Sequence, residues 1–184
     1  MNPLLAGWAD DARQTAERIH DEFLPLSDAQ ASWKPRPESW SIGECFDHLR
    51  VTGEQYYPRI DGAIERAKTG DASRPYKPRF LGRLFVKFAG PDGSRGVKAP
   101  KAFAPTSSEG GAHAVQAFLE QQSTLLDLIE RAGECDLNGG RFGSPVTRLL
   151  RFSLGEALEL MVRHEQRHLN QALRVKGEPA FPRE

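Results

Sequence analysis

Cysteine is scarce in this chain, neither charge is in excess, and no long apolar run occurs. Each absence removes a class of protein. Two cysteines in 184 residues, Cys45 and Cys135, make no disulfide framework and fit a reducing compartment. Twenty-five basic residues balance 25 acidic ones, which counts against nucleic acid as a partner, because non-specific binding needs a net basic surface. Without a stretch of ~18 apolar residues, a membrane span is not expected. Met1 to Gln14 lacks the basic start and apolar centre of a signal peptide, so the expected location is cytoplasmic. Convincing strand alternation is missing too. What remains is a globular composition, 39% hydrophobic and 27% charged. The length suits one domain over residues 1–184 with a sizeable core.

Apolar spacing predicts helices through most of the chain. Leu5, Trp8, Ala12, Ala16, Ile19, Phe23 and Leu26 recur at three or four residues, one face of a first helix. Pro35 and Pro37 break the pattern beyond it. A second helix starts at Ser41, where Ser41 and Glu44 form a capping box and Trp40 stands in the staple position. Its core face runs through Ile42, Phe46, Leu49, Tyr56, Ile60 and Ile64, with a kink expected at Pro58. The third helix carries Val115, Phe118, Gln122, Leu125 and Ile129 and closes at Gly133. The fourth begins with a second capping box, Ser153 to Glu156, and ends near Gly177.

Residues 69–111, between the second and third helices, make an unusually long connection. It is rich in Gly and Pro and basic: nine Lys or Arg from Lys68 to Lys101 face only Asp71 and Asp92. Within it, Phe80 to Phe88 suits a short amphipathic helix. A connection this long can cross a bundle's full length and leave its two flanking helices parallel. The expected fold is an all-α four-helix bundle with one long crossover.

Five histidines are present, and three lie downstream of the two matching helix starts. His164 and His168 are four apart, neighbours on a face continued by Met161, Ala172 and Val175. His48 lies on the flank of its helix, about a third of a turn from the apolar centre at ~100° per residue. It follows Ser41 by seven residues, and His164 follows Ser153 by eleven. Those are roughly two and three turns, so both rings point in nearly the same direction relative to their caps. If the two helices are antiparallel, the three rings lie at similar depth. Two imidazoles one turn apart suit zinc, nickel, copper or iron, and three with an open position describe a catalytic metal site. The competing account is an incidental pair of core histidines.

His164-Glu165-Gln166-Arg167-His168 also matches H-E-x-x-H, the zinc-protease helix, with Glu165 as general base. That chemistry needs a third ligand downstream. Only 16 residues follow His168; Arg174 stands where one subclass places its third histidine, and Glu178 lies in a Gly/Pro-rich tail with no helix expected to hold it.

Trp40-Ser41-Ile42-Gly43-Glu44 leading to His48-Leu49, the late His164-Glu165-x-Arg167-His168-x-x-Gln171, and Lys98-Ala99-Pro100-Lys101-Ala102-Phe103 before the third helix resemble the DinB/YfiT-like metalloenzyme superfamily. The resemblance spans almost the whole chain. It implies an up-down-down-up four-helix bundle, often a homodimer, and a divalent zinc or nickel ion held by His48, His164 and His168. Some relatives transfer or isomerise with a low-molecular-weight thiol, so the resemblance implies a thiol transferase or a hydrolase acting on a small molecule. A non-enzymatic, stress-related dimeric module is the alternative.

Other residues offer weaker candidates. Glu44, one turn before His48, would support that ring if its cap did not already occupy it. Arg79, Arg83 and Lys87 would attract a carboxylate-bearing substrate, unless Phe80, Leu84 and Phe85 simply cover the bundle's end and leave those charges in water. Glu165 and Arg167 read as surface residues. Cys45 reads as a small buried hydrophobe. Tyr56 and Tyr57 could donate to a substrate. His20 and His113 read as surface or structural.

Overall fold

The computed structural model describes residues 2–91, 93, 99–106, 110–147 and 150–183. Among these the chain is all-α, with helices α1 (Pro3–Phe23), α2 (Asp28–Ser32), α3 (Ile42–Ala67), α4 (Phe80–Ala89), α5 (Gly111–Arg131) and α6 (Leu154–Lys176). Short 3-10 turns occupy Lys101–Phe103 and Ala132–Glu134. Two-residue strands β1 (Phe142–Gly143) and β2 (Arg151–Phe152) pair antiparallel, Phe142 opposite Phe152. Pieces this short show no alternation, so the sequence does not announce them. Asp92, Arg95 and Lys98 of the crossing segment lie outside the described residues.

Three helix starts use the same chemistry. Ser27, Ser41 and Ser153 each accept a hydrogen bond from the backbone N–H three residues on, and Gln30, Glu44 and Glu156 return one to the cap. Each box satisfies two amides that a helix start leaves without partners. α2 escapes the periodicity argument because five residues make barely more than one turn. α3 runs as one helix from Ile42 to Ala67 with Pro58 inside it.

The four long helices pack on one another: α3 lies against α5 and α6, and α1 touches the same two. Pairings along α3 and α5 advance together. Gly43 meets Gly111, Gly53 meets Gln121, and Asp61 pairs with Arg131 at 2.6 Å. Along α3 and α6 they run in opposition, His48 meeting His164 and Tyr56 meeting Phe152, just before α6 begins. The end of α1 lies beside the start of α3 and the end of α6: Phe23 packs on Phe46, and Glu22 pairs with Lys176. At the Gly43–Gly111 crossing a Cβ on Gly43 would stand 2.3 Å from the Gly111 Cα, so only glycine permits this approach.

Apolar burial forms two clusters. One gathers Tyr56, Ile60, Leu158 and Met161; the other gathers Phe46, Phe118, Leu169 and Ala172. On α6 the first ends at Val162 and the second begins at Leu169. His164 and His168 fall in that gap, with core on both sides to hold the helix.

α4 leans on α6 through Gly82, Val86 and Ala89. Glu156, already part of the Ser153 box, also accepts from the Arg79 amide at 2.6 Å, and Gly82 sits hard against its carboxylate. One buried carboxylate thus orders the starts of two helices. Phe85 is half-buried and packs on Phe152. Phe80 and Leu84, however, are exposed. They do not cover the bundle's end as the sequence suggests, because α4 turns its glycine–valine–alanine edge inward instead.

Candidate metal centre

α3 and α6 bring His48, His164 and His168 together. Each ring offers one nitrogen, and the three lie within 4.8 Å of one another. His48 and His168 are buried, and His164 is half-buried. The Nε2 atoms of His48 and His164 stand 3.0 Å apart. Their Nδ1 atoms point the other way: His48 donates to the Phe103 carbonyl at 2.5 Å, and His164 donates to the Ala89 carbonyl at 2.8 Å. A carbonyl oxygen only accepts, so these bonds fix the Nδ1–H tautomer and leave both Nε2 lone pairs facing inward.

Both carbonyls belong to the long crossing, Ala89 at the end of α4 and Phe103 in the 3-10 turn. The segment is anchored for this task. Arg167 on α6 donates to the Phe88 and Gly90 carbonyls, 3.2 Å each. Asp47, buried beside His48, pairs with Arg50 and accepts from the Thr106 amide. Arg167 is therefore no free surface charge, and Asp47 is a site-shaping residue that the sequence did not flag. Its signal was only a carboxylate next to a candidate ligand.

Electrostatics hold the rings neutral. Burial lowers the His48 pKa, partly opposed by the Phe103 carbonyl. Burial, then the neighbouring His48, pushes His164 down to about 3. His168 falls well below its ordinary value for the same reasons, burial first and then His164 and His48, with the Gln171 side chain opposing. Trp40 walls the group, its ring 4.9 Å from His48 and 5.8 Å from His168.

Two unprotonated nitrogens 3.0 Å apart repel unless a cation sits between their lone pairs. Since these rings resist protons at neutral pH, the arrangement fits a metal ion. Three imidazoles with nitrogen donors suit a borderline divalent cation.

The trio lies on a cleft of about 1180 Å³. Tyr56, Phe85, Phe88 and Leu160 give it an apolar wall, and its charged lining is Arg36, Arg167 and Arg174 with Glu38 and Glu178. Arg79, Arg83 and Lys87 do not line it. Arg83 and Lys87 are exposed on α4 and Arg79 is exposed just before it, so the cations around the cleft come from elsewhere than the sequence suggested.

The remaining candidates separate. Glu44 spends its carboxylate on the Ser41 cap and on Lys34 at 2.6 Å, so the rings lean on backbone carbonyls instead. Glu165 is buried, not at the surface. It accepts from Gln122 of α5 at 2.9 Å, and burial raises its pKa to about 8. A general base of the protease type would face the metal's open position; this carboxyl is engaged with α5. Cys45 is fully buried, and burial pushes its thiol up. Tyr56 reaches the cleft wall with its hydroxyl 3.4 Å from the Ser144 Oγ, while Tyr57 is buried close to Glu165. His20 and His113 are exposed and do not belong to the trio.

No curated protein and no solved structure matches the chain. A family model described as the DinB superfamily matches residues 11–172, which include all three histidines and the capping boxes of α3 and α6. The chain belongs to the DinB superfamily.

Proposed function

We propose that this protein is a divalent-metal-dependent enzyme that uses His48, His164 and His168 to hold zinc or nickel beside a substrate cleft. The observation that carries the reading is the pair of inward-facing Nε2 lone pairs, 3.0 Å apart and each fixed by a carbonyl behind its ring. A divalent ion there supplies Lewis acidity, lowering the pKa of a water or thiol that binds it. That chemistry serves a hydrolase or a thiol S-transferase. Three arginines of the cleft, Arg36, Arg167 and Arg174, outnumber its two glutamates, Glu38 and Glu178, which favours a substrate or thiol that carries carboxylates. The apolar wall of Tyr56, Phe85 and Phe88 favours an uncharged electrophilic end. Pairings along the four long helices support an up-down-down-up four-helix bundle, in which the crossing between α3 and α5 delivers the carbonyls of Ala89 and Phe103.

Elemental analysis of the purified protein tests the site. One equivalent of tightly bound zinc or nickel is expected, falling at least tenfold in His168→Ala while the helical circular dichroism is kept. Retention of a full equivalent in that variant would overturn the assignment. A screen of small thiols against electrophiles then tests the activity. If stripping the metal with a chelator unfolds the chain instead of exposing an open site, the ion is structural and the protein is a binding module.

A further inference from the structure

We infer that α4 is an interfacial helix that docks on an anionic lipid surface. Its outward side carries Phe80, Leu81 and Leu84, which are 69%, 58% and 54% exposed, together with Phe88 at 43%. At ~100° per residue these four fall within a single sector of about 100°, while Gly82, Val86 and Ala89 occupy the opposite, buried side. Four large apolar side chains in one open stripe are more than scattered surface exposure.

The charge around the stripe names the occupant. Arg83 and Lys87 are exposed and border it on one side of the helix. Arg74, Lys77 and Arg79 precede it, also exposed. Asp and Glu are missing from Ala72 to Pro91. An apolar stripe edged by basic side chains fits the boundary between acyl chains and anionic headgroups. A second copy seated by two-fold symmetry on the same stripe would bring two sets of these cations together, with no carboxylate on the helix to pair them. The sequence addresses a membrane span and predicts none; a surface role for Phe80 to Phe88 is the weaker reading it leaves open. No helix among the described residues is long and apolar enough to span. A helix lying in the interface needs no such length.

Phe88 also lines the metal cleft, and Ala89 holds His164. Docking through α4 would therefore set the cleft's mouth beside the lipid surface.

Vesicle flotation tests the inference with the full-length protein. Phosphatidylcholine vesicles are compared with vesicles that also contain phosphatidylglycerol. The protein is expected to float with the anionic vesicles and to partition at least tenfold less into neutral ones. Both Phe80→Ser/Leu84→Ser and Arg83→Glu/Lys87→Glu should lower partition into anionic vesicles by about tenfold or more. These side chains are exposed, so the thermal melt and the metal content should stay unchanged, which separates this test from that of the metal site. No flotation, or equal flotation with both vesicle types, would overturn the proposal. So would a wild-type dimer that Phe80→Ser/Leu84→Ser splits into monomers, since a second copy would then be the stripe's occupant.

Discussion

The Nε2 atoms of His48 and His164 stand 3.0 Å apart with both rings already donating from Nδ1 to backbone carbonyls. Neither ring can turn its hydrogen inward without giving up a buried bond, and leaving a buried carbonyl unsatisfied costs about 1–3 kcal/mol. The pair is thus set to receive a cation rather than to bond to itself.

Metal-free protein should lose stability in acid. The folded pKa values of His48, His164 and His168 lie below the ordinary value of 6.5. Below that value the unfolded chain takes up protons that the folded chain refuses, so unfolding gains as pH falls. The stability contributed by the neutral rings is fully present above pH 6.5 and is lost as pH drops towards 3, at up to about 1.4 kcal/mol per pH unit for each histidine. Urea titrations of chelated protein between pH 7 and pH 5 check this. A flat profile would show that the rings are more open to water than their burial implies.

Glu165 should act in the opposite sense. Its folded pKa is raised to about 8 from an ordinary 4.5. Above pH 4.5 the unfolded chain releases a proton that the folded chain retains, so stability declines as pH rises to about 8. Glu165→Gln removes that titration and keeps an acceptor for Gln122. It is expected to stabilise the protein by up to about 3 kcal/mol at pH 7, with little effect at pH 4.5 and no loss of metal. Loss of metal in this variant would return the carboxyl to the site.

Gly43→Ala should weaken the α3–α5 crossing. The new Cβ would fall 2.3 Å from the Gly111 Cα and 2.9 Å from its carbonyl oxygen, which are backbone atoms that cannot swing aside. Overpacking of this kind costs about 1–3 kcal/mol. A lower melting temperature is expected, whereas Gly133→Ala, where a Cβ meets nothing within 4 Å, makes the control.

All three tyrosines should resist alkali. Burial raises Tyr56 to about 12, and Tyr57 and Tyr76 also lie above the ordinary value of 10, through burial first and then nearby carboxylates. The unfolded chain ionises its phenols first, so their contribution is intact below pH 10 and disappears as pH climbs through the folded values. Absorbance near 295 nm should therefore stay flat past pH 10 and rise in one step with alkaline unfolding. An early hyperchromic phase at pH 10 would reveal an open phenol.

The sequence alone determined the four long helices, the Ser41 and Ser153 caps on two of them, and the His164–His168 pair. These are local properties: apolar spacing, a Ser-x-x-Glu box and a His pair one turn apart depend on neighbours within a few residues. Tertiary packing decided the rest. The acceptors behind His48 and His164 are carbonyls of Phe103 and Ala89, and a carbonyl carries no residue identity for a sequence to display. Which arginines face the cleft, why Glu165 is buried, and why Phe80 and Leu84 are left exposed all depend on how α4 and α5 seat against α6. An amphipathic pattern shows that a helix has two faces; only the partner it packs on decides which face meets protein.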